Sequence, residues 1–212
     1  VWGQAFADIN GTPSFIWTNA GDGSTGTGGG VWQLTPGGNS NPMISQPLNS
    51  SYTLLAPDLG YNNAPGTTAA TAAGPQGTVY DPSNGTLYVT DDANNTIYAI
   101  SGFGSVGGPT TTTLVSGGAL NAPQGIALNP VNGDLLVVNG AGNNDLLEYT
   151  PMGQLAAVRD LLPNQAPGAL FGLAATMTGP GQMAVYFGDD DNNMLYSLTG
   201  PMGGPTLPAA AR

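Results

Sequence analysis

Five consecutive residues, Asp189-Asp190-Asp191-Asn192-Asn193, put three carboxylates and two amides into one short stretch, and Asp91-Asp92-Ala93-Asn94-Asn95 is a second version of it. Calcium takes hard carboxylate and amide oxygens of this kind as ligands. The stronger candidate set is Asp189, Asp190, Asp191 and Asn193, because three adjacent carboxylates repel one another unless a cation or solvent screens them. Their spacing is not that of an EF-hand loop. A structural reading competes with the metal. Asp and Asn side chains cap tight turns by accepting nearby backbone hydrogens, and recurrence of the corner at one place in a repeat favours that reading. Calcium is the one candidate ion; otherwise no cofactor is expected.

Missing residue types narrow the chemistry further. The chain has no histidine and no cysteine, which removes a Ser–His triad, a thiolate nucleophile and imidazole or thiolate metal sites. Glu148 is the only glutamate, and Arg159 and Arg212 are the only basic residues, against a formal net charge of -11. Such a chain cannot neutralise a row of phosphates, so nucleic acid is excluded as a partner, and an anionic membrane surface with it. The longest aliphatic run, at 135–138, is far short of the ~20 residues that cross a bilayer. Charged residues are only 7% of the total; a polar surface built from Asn, Thr, Ser and Gly is expected of an extracytoplasmic protein, secreted, periplasmic or on a bacterial cell surface. The sequence opens on Val1 rather than Met, so a processed or longer polypeptide is expected.

These residues sit in a repeat. Gly3, Gly77, Gly125 and Gly172 each open an alternating strand, followed by a turn, a second strand, an Asp/Asn-rich corner and a third strand. Asn10-Gly11, Asn84-Gly85 and Asn132-Gly133 fall at one offset from the first three glycines and predict type I′ hairpin turns. The copies recur about every 48 residues after Gly77, and the longer first unit carries an insertion around 61–74. Gly and Pro interrupt nearly every window, so little or no helix is expected. Four short strands per unit of this length predict an all-β fold, a β-propeller of four-stranded antiparallel blades. The repeats divide as about 1–74, 75–122, 123–169 and 170–212, with 205–212 available for an outer strand. Four units make either a closed four-bladed ring or part of a larger propeller; the larger propeller is the favoured expectation.

The run Pro75-Gln76-Gly77-Thr78-Val79, with Leu87-Tyr88-Val89-Thr90-Asp91 and Asn94-Asn95-Thr96-Ile97-Tyr98, resembles the NHL repeat. Pro123-Gln124-Gly125-Ile126-Ala127 with Asn143-Asn144 matches it again. The chain departs from that family in lacking a basic residue after the paired Asn, where Thr96, Asp145 and Met194 stand. The resemblance implies that the residue before each repeat glycine points to the mouth of a central channel. Those residues are Trp2, Gln76, Gln124 and Phe171. Two amides and two aromatics suit a small neutral ligand or a peptide, or else plug the channel. Trp17 and Trp32, in apolar strands, are expected in the core. The two rigid loop faces of a propeller and a surface poor in charge lead to the expectation of a binding or scaffold module whose partner is a protein of a surface assembly or a copy of itself. The alternative is a calcium-dependent lactonase or hydrolase of which this chain is part.

Overall fold

The computed structural model describes residues 2–20, 29–35, 51–61 and 73–201. Alternating strands separated by Gly, Asn and Pro turns form fifteen strands, and no helix occurs among the described residues. Four small antiparallel sheets are arranged as the blades of a β-propeller. Blade 1 holds β1 (Gln4–Ile9), β2 (Thr12–Asn19), β3 (Gly29–Thr35) and β4 (Ser51–Leu59). Blade 2 holds β5 (Pro75–Asp81), β6 (Thr86–Asp91), β7 (Thr96–Ser101) and β8 (Thr110–Ser116). Blade 3 holds β9 (Pro123–Leu128), β10 (Leu135–Asn139), β11 (Asp145–Tyr149) and β12 (Leu155–Asp160). Blade 4 holds β13 (Leu170–Gly179), β14 (Gln182–Asp189) and β15 (Met194–Pro201). The strands of each blade pair in sequence order. The expected insertion at 61–74 and outer strand at 205–212 lie wholly or largely outside the described residues.

Each strand is apolar on the faces turned to neighbouring blades, so the core is three inter-blade layers. Ile16, Val31 and Leu55 of blade 1 pack on Leu87, Val89 and Ile100 of blade 2. Tyr88 and Ile97 pack on Leu135, Val137 and Leu147. Leu136 and Leu146 pack on Val185, Phe187 and Leu198. A central strand such as β10 is buried on both faces, so it reads as a continuous aliphatic run instead of an alternating one.

The turns refine one expectation. Only Asn10-Gly11 has both residues at positive φ, at 54° and 79°, as a two-residue type I′ turn needs. At the second and third copies only Gly85 and Gly133 are there, at 67° and 79°. Those loops are wider because the preceding acceptor side chain caps them: Asp81 Oδ1 accepts from Ser83 N at 2.9 Å, and Asn129 Oδ1 from Val131 N at 3.0 Å. The corners use the paired Asn instead, with Asn95, Asn144 and Asn193 at φ of 49°, 57° and 57°.

Candidate functional site

The repeat glycines bring the blades together at the axis. A Cβ on Gly3, Gly77 or Gly125 would collide with the backbone carbonyl of Gln76, Gln124 or Phe171 of the next blade. Glycine permits that approach because it carries no side chain. A threonine at the end of the second strand then ties the joint. Thr18 Oγ1 accepts from Gly3 N at 2.8 Å and donates to the Gln76 carbonyl at 2.6 Å. Thr90 Oγ1 repeats this with Gly77 N at 2.9 Å and the Gln124 carbonyl at 2.5 Å.

The close approach of the first strands leaves a cavity of about 280 Å³ at the axis, lined by all four residues that precede the repeat glycines: Trp2, Gln76, Gln124 and Phe171. Trp2 and Phe171 are each 39% exposed, so their rings are available to a ligand. Asp92 holds the two amides. Its Oδ2 accepts from Gln76 Nε2 at 2.9 Å and from Gln124 Nε2 at 3.0 Å, and its Oδ1 accepts from Gly74 N at 2.6 Å. Burial raises the Asp92 carboxyl above its ordinary value, and the three donors only partly oppose that. Gly140 stands where blade 3 would have its counterpart of Asp92, and a Cβ there would meet Gln124 Cγ at 2.5 Å. Glycine at 140 therefore leaves Gln124 room to lean over to Asp92. Thr78 Oγ1 is buried, has no hydrogen-bond partner, and belongs to a residue on the cavity wall.

Among the described residues no charged side chain lines the cavity itself. Beyond the hydrogen given to Asp92, each glutamine amide has a second hydrogen and a carbonyl oxygen; Gln124 is half-buried and Gln76 only 5% exposed, so Gln124 presents more of its amide, and the rings offer apolar faces. The arrangement suits a neutral, hydrogen-bonding molecule with one flat or apolar side. Asp92 is not itself a lining residue and reaches such a ligand only through the amides it holds.

The acidic corners are built differently. Asp91 is a turn anchor: its carboxylate accepts from Gly60 N at 2.6 Å, Ala93 N at 3.0 Å and Asn94 N at 3.2 Å. In blade 4, Asp189 is buried, with Oδ1 accepting from Asp191 N at 3.1 Å and Oδ2 without a partner. Asp190, Asp191 and Asn193 are exposed. Among the described residues no group of three or more acidic side chains converges as a metal cradle. A buried oxygen and three surface side chains do not present calcium with its usual six to eight oxygens, so the residues present do not fit that ion. Glu148 lies off the axis on β11, bound by Asn129 Nδ2 at 2.8 Å, and ties a hairpin loop to its sheet.

Asp92, Gly140 and the threonines carry the site as much as the four expected residues do. The only sequence signal for them is offset: Thr18 and Thr90 each close a second strand, and Asp92 and Gly140 each follow one. Trp17 and Trp32 stack at 6.4 Å on a blade face and do not join Trp2 at the cavity.

No protein-family model matches the chain, and no curated protein matches it. Solved structures do. A calcium-binding protein, regucalcin, from Agrobacterium tumefaciens superposes with a TM-score of 0.54 at 15% identity, covering 87% of this chain and 57% of that one. A luciferin-regenerating enzyme superposes with a TM-score of 0.52 at 12% identity, covering 90% of this chain and 58% of that one. A gluconolactonase from Xanthomonas campestris gives 0.42 at 18% identity, covering 76% and 51%. The chain thus spans under two thirds of the length of each. At such identities the likeness is one of fold.

Proposed function

We propose that this propeller binds a small neutral molecule in its axial cavity and belongs to a hydrolase of the lactonase kind. The observation that carries the reading is the pair Gln76 and Gln124, both held by one rim carboxylate, Asp92, beside two exposed aromatic rings. Fold likeness to regucalcin and to a luciferin-regenerating enzyme supports an enzyme of this shape over a pure scaffold. The NHL-like character of the repeat and a place outside the cytoplasm are part of the same proposal, supported by the Pro-Gln-Gly and paired-Asn motifs and by the low charge.

In this reading Trp2 and Phe171 sandwich the ring of the substrate, and the free amide hydrogens of Gln76 and Gln124 bond its carbonyl oxygen. Asp92 stands behind those amides and fixes their direction, and a water adds to the acyl carbon while giving its proton to a second water. The ring C–O bond then breaks, and the proton passes to the departing alkoxide. No step passes through a metal.

Titration calorimetry and pH-stat turnover with a panel of neutral five- and six-membered lactones test this. Gln124→Ala is expected to weaken binding about tenfold, as loss of one neutral hydrogen bond does. Asp92→Asn is expected to weaken binding and turnover together, because the two amides lose the charged acceptor they share. A panel in which no lactone binds would reject the reading. Repeating turnover with added calcium and then with a chelator should change nothing, because no step uses the ion.

A further inference from the structure

The inner faces of the blades repeat so closely that the two outermost faces can be compared position by position. Tyr88, Leu136 and Tyr186 hold one place in the second strands, counted back from the corner, and Ile97, Leu146 and Leu195 one place in the third. In blades 2 and 3 the four residues are 0–2% exposed, sealed by the next blade. In blade 4, Tyr186 is 37% and Leu195 72% exposed. The repeat glycines say the same. Gly3, Gly77 and Gly125 are crowded by the next blade's carbonyl, whereas nothing lies within 4 Å of a Cβ on Gly172.

Blade 1 is open on the opposite face. Counted from the repeat glycine, Phe6 matches Tyr80, which packs against blade 1, yet Phe6 is 75% exposed. Phe15 takes the place of Leu87 and Leu135, both fully buried, and its ring lies 4.9 Å from that of Phe6. Among the described residues no packing like that between neighbouring blades joins β13 to blade 1. The chain therefore has a used front face and a used back face in every inner joint, and one unused copy of each at its ends.

We propose that both end faces are blade-to-blade interfaces, and that further blades of the same polypeptide, outside residues 1–212, cover them and close the ring. Three observations favour that occupant over a second copy or an unrelated protein. Every blade joint seen here is made between blades consecutive in one chain. The open faces continue those joints in residue type and position. Both better-superposing structures carry more than two fifths of their length beyond the part this chain matches. The proposal does not depend on what the cavity binds.

Residues 1–212 hold no cysteine, so each introduced thiol can be followed once any cysteine elsewhere in the full polypeptide has been replaced by serine. The intact mass of the native polypeptide is measured first, and single-cysteine variants Leu195→Cys, Phe6→Cys and the exposed control Val106→Cys are then made in that full polypeptide and in the 212-residue chain. The expected result is a mass above 21.2 kDa, with positions 195 and 6 labelled by a maleimide about a hundredfold more slowly than 106 in the full polypeptide, since labelling then waits on local opening. In the 212-residue chain all three are expected to label within about threefold of one another, because solvent reaches each directly. A native mass of 21.2 kDa overturns the proposal. So does fast labelling at 195 and 6 in a longer polypeptide. Protection that appears only as concentration rises also overturns it and assigns the faces to a second copy.

Discussion

At the residue scale the carboxylates withdrawn from water, Asp91 fully and three others in part, shape how the protein responds to acid. Asp91, Asp92, Asp134 and Asp145 are all lifted above 3.8, in each case first by burial. An acid with a raised folded pKa favours folding most when protonated. The associated stability is full below pH 3.8 and is lost as pH rises through the lifted values. Protonation also relaxes the repulsion within a chain of net charge -11. The urea midpoint, followed by tryptophan fluorescence, is expected to rise between pH 7 and pH 4; a fall would contradict the burial assignment. Thr90 offers a second test at this scale. Its hydroxyl serves both the Gly77 N–H and the Gln124 carbonyl, so Thr90→Val strands two polar groups and is expected to cost about 1–3 kcal/mol in urea unfolding.

At the element scale the first strand of each blade works only because a glycine opens it. Gly125→Ala forces a Cβ into the Phe171 carbonyl and is expected to destabilise by about 1–3 kcal/mol. Gly172→Ala in the 212-residue chain meets nothing and is expected to stay within about 0.5 kcal/mol. Equal effects at the two sites, measured by urea unfolding, would refute the repeated joint. Strand order and most strand positions were legible in the sequence. Alternation, Asn-Gly turns and paired Asn corners are local signals, and the register of β6 on β7, with Val89 opposite Tyr98, follows from the corner between them. The turn geometry at 84–85 was not legible, because Asp81 caps that loop through contacts that no dipeptide encodes.

At the scale of the whole molecule the core is a set of joints between blades. Leu136 is fully buried in the joint of blades 3 and 4, so Leu136→Ala is expected to cost about 2–5 kcal/mol. Tyr186→Ala, at the matching place on the open face, is expected to cost under about 1 kcal/mol in the 212-residue chain. Thermal or urea unfolding of the pair checks whether that face is unburied. The cavity belongs to this scale as well, since no single blade contains it.

The sequence by itself determined the repeat, the strands and the all-β propeller, while the resemblance to a known repeat pointed to Trp2, Gln76, Gln124 and Phe171. The repeat, strands and fold class rest on periodicity and on glycine at fixed offsets, which act within about one blade of chain. Only the tertiary structure decided that Asp92 gathers Gln76 and Gln124, that Gly140 leaves them room, and that Asp189 turns inward while Asp190 and Asp191 stay at the surface. A glutamine from one blade and a carboxylate from another meet 32 residues apart. Which of several similar aspartates receives it depends on how the blades are set about the axis, a through-space relation that sequence spacing does not carry.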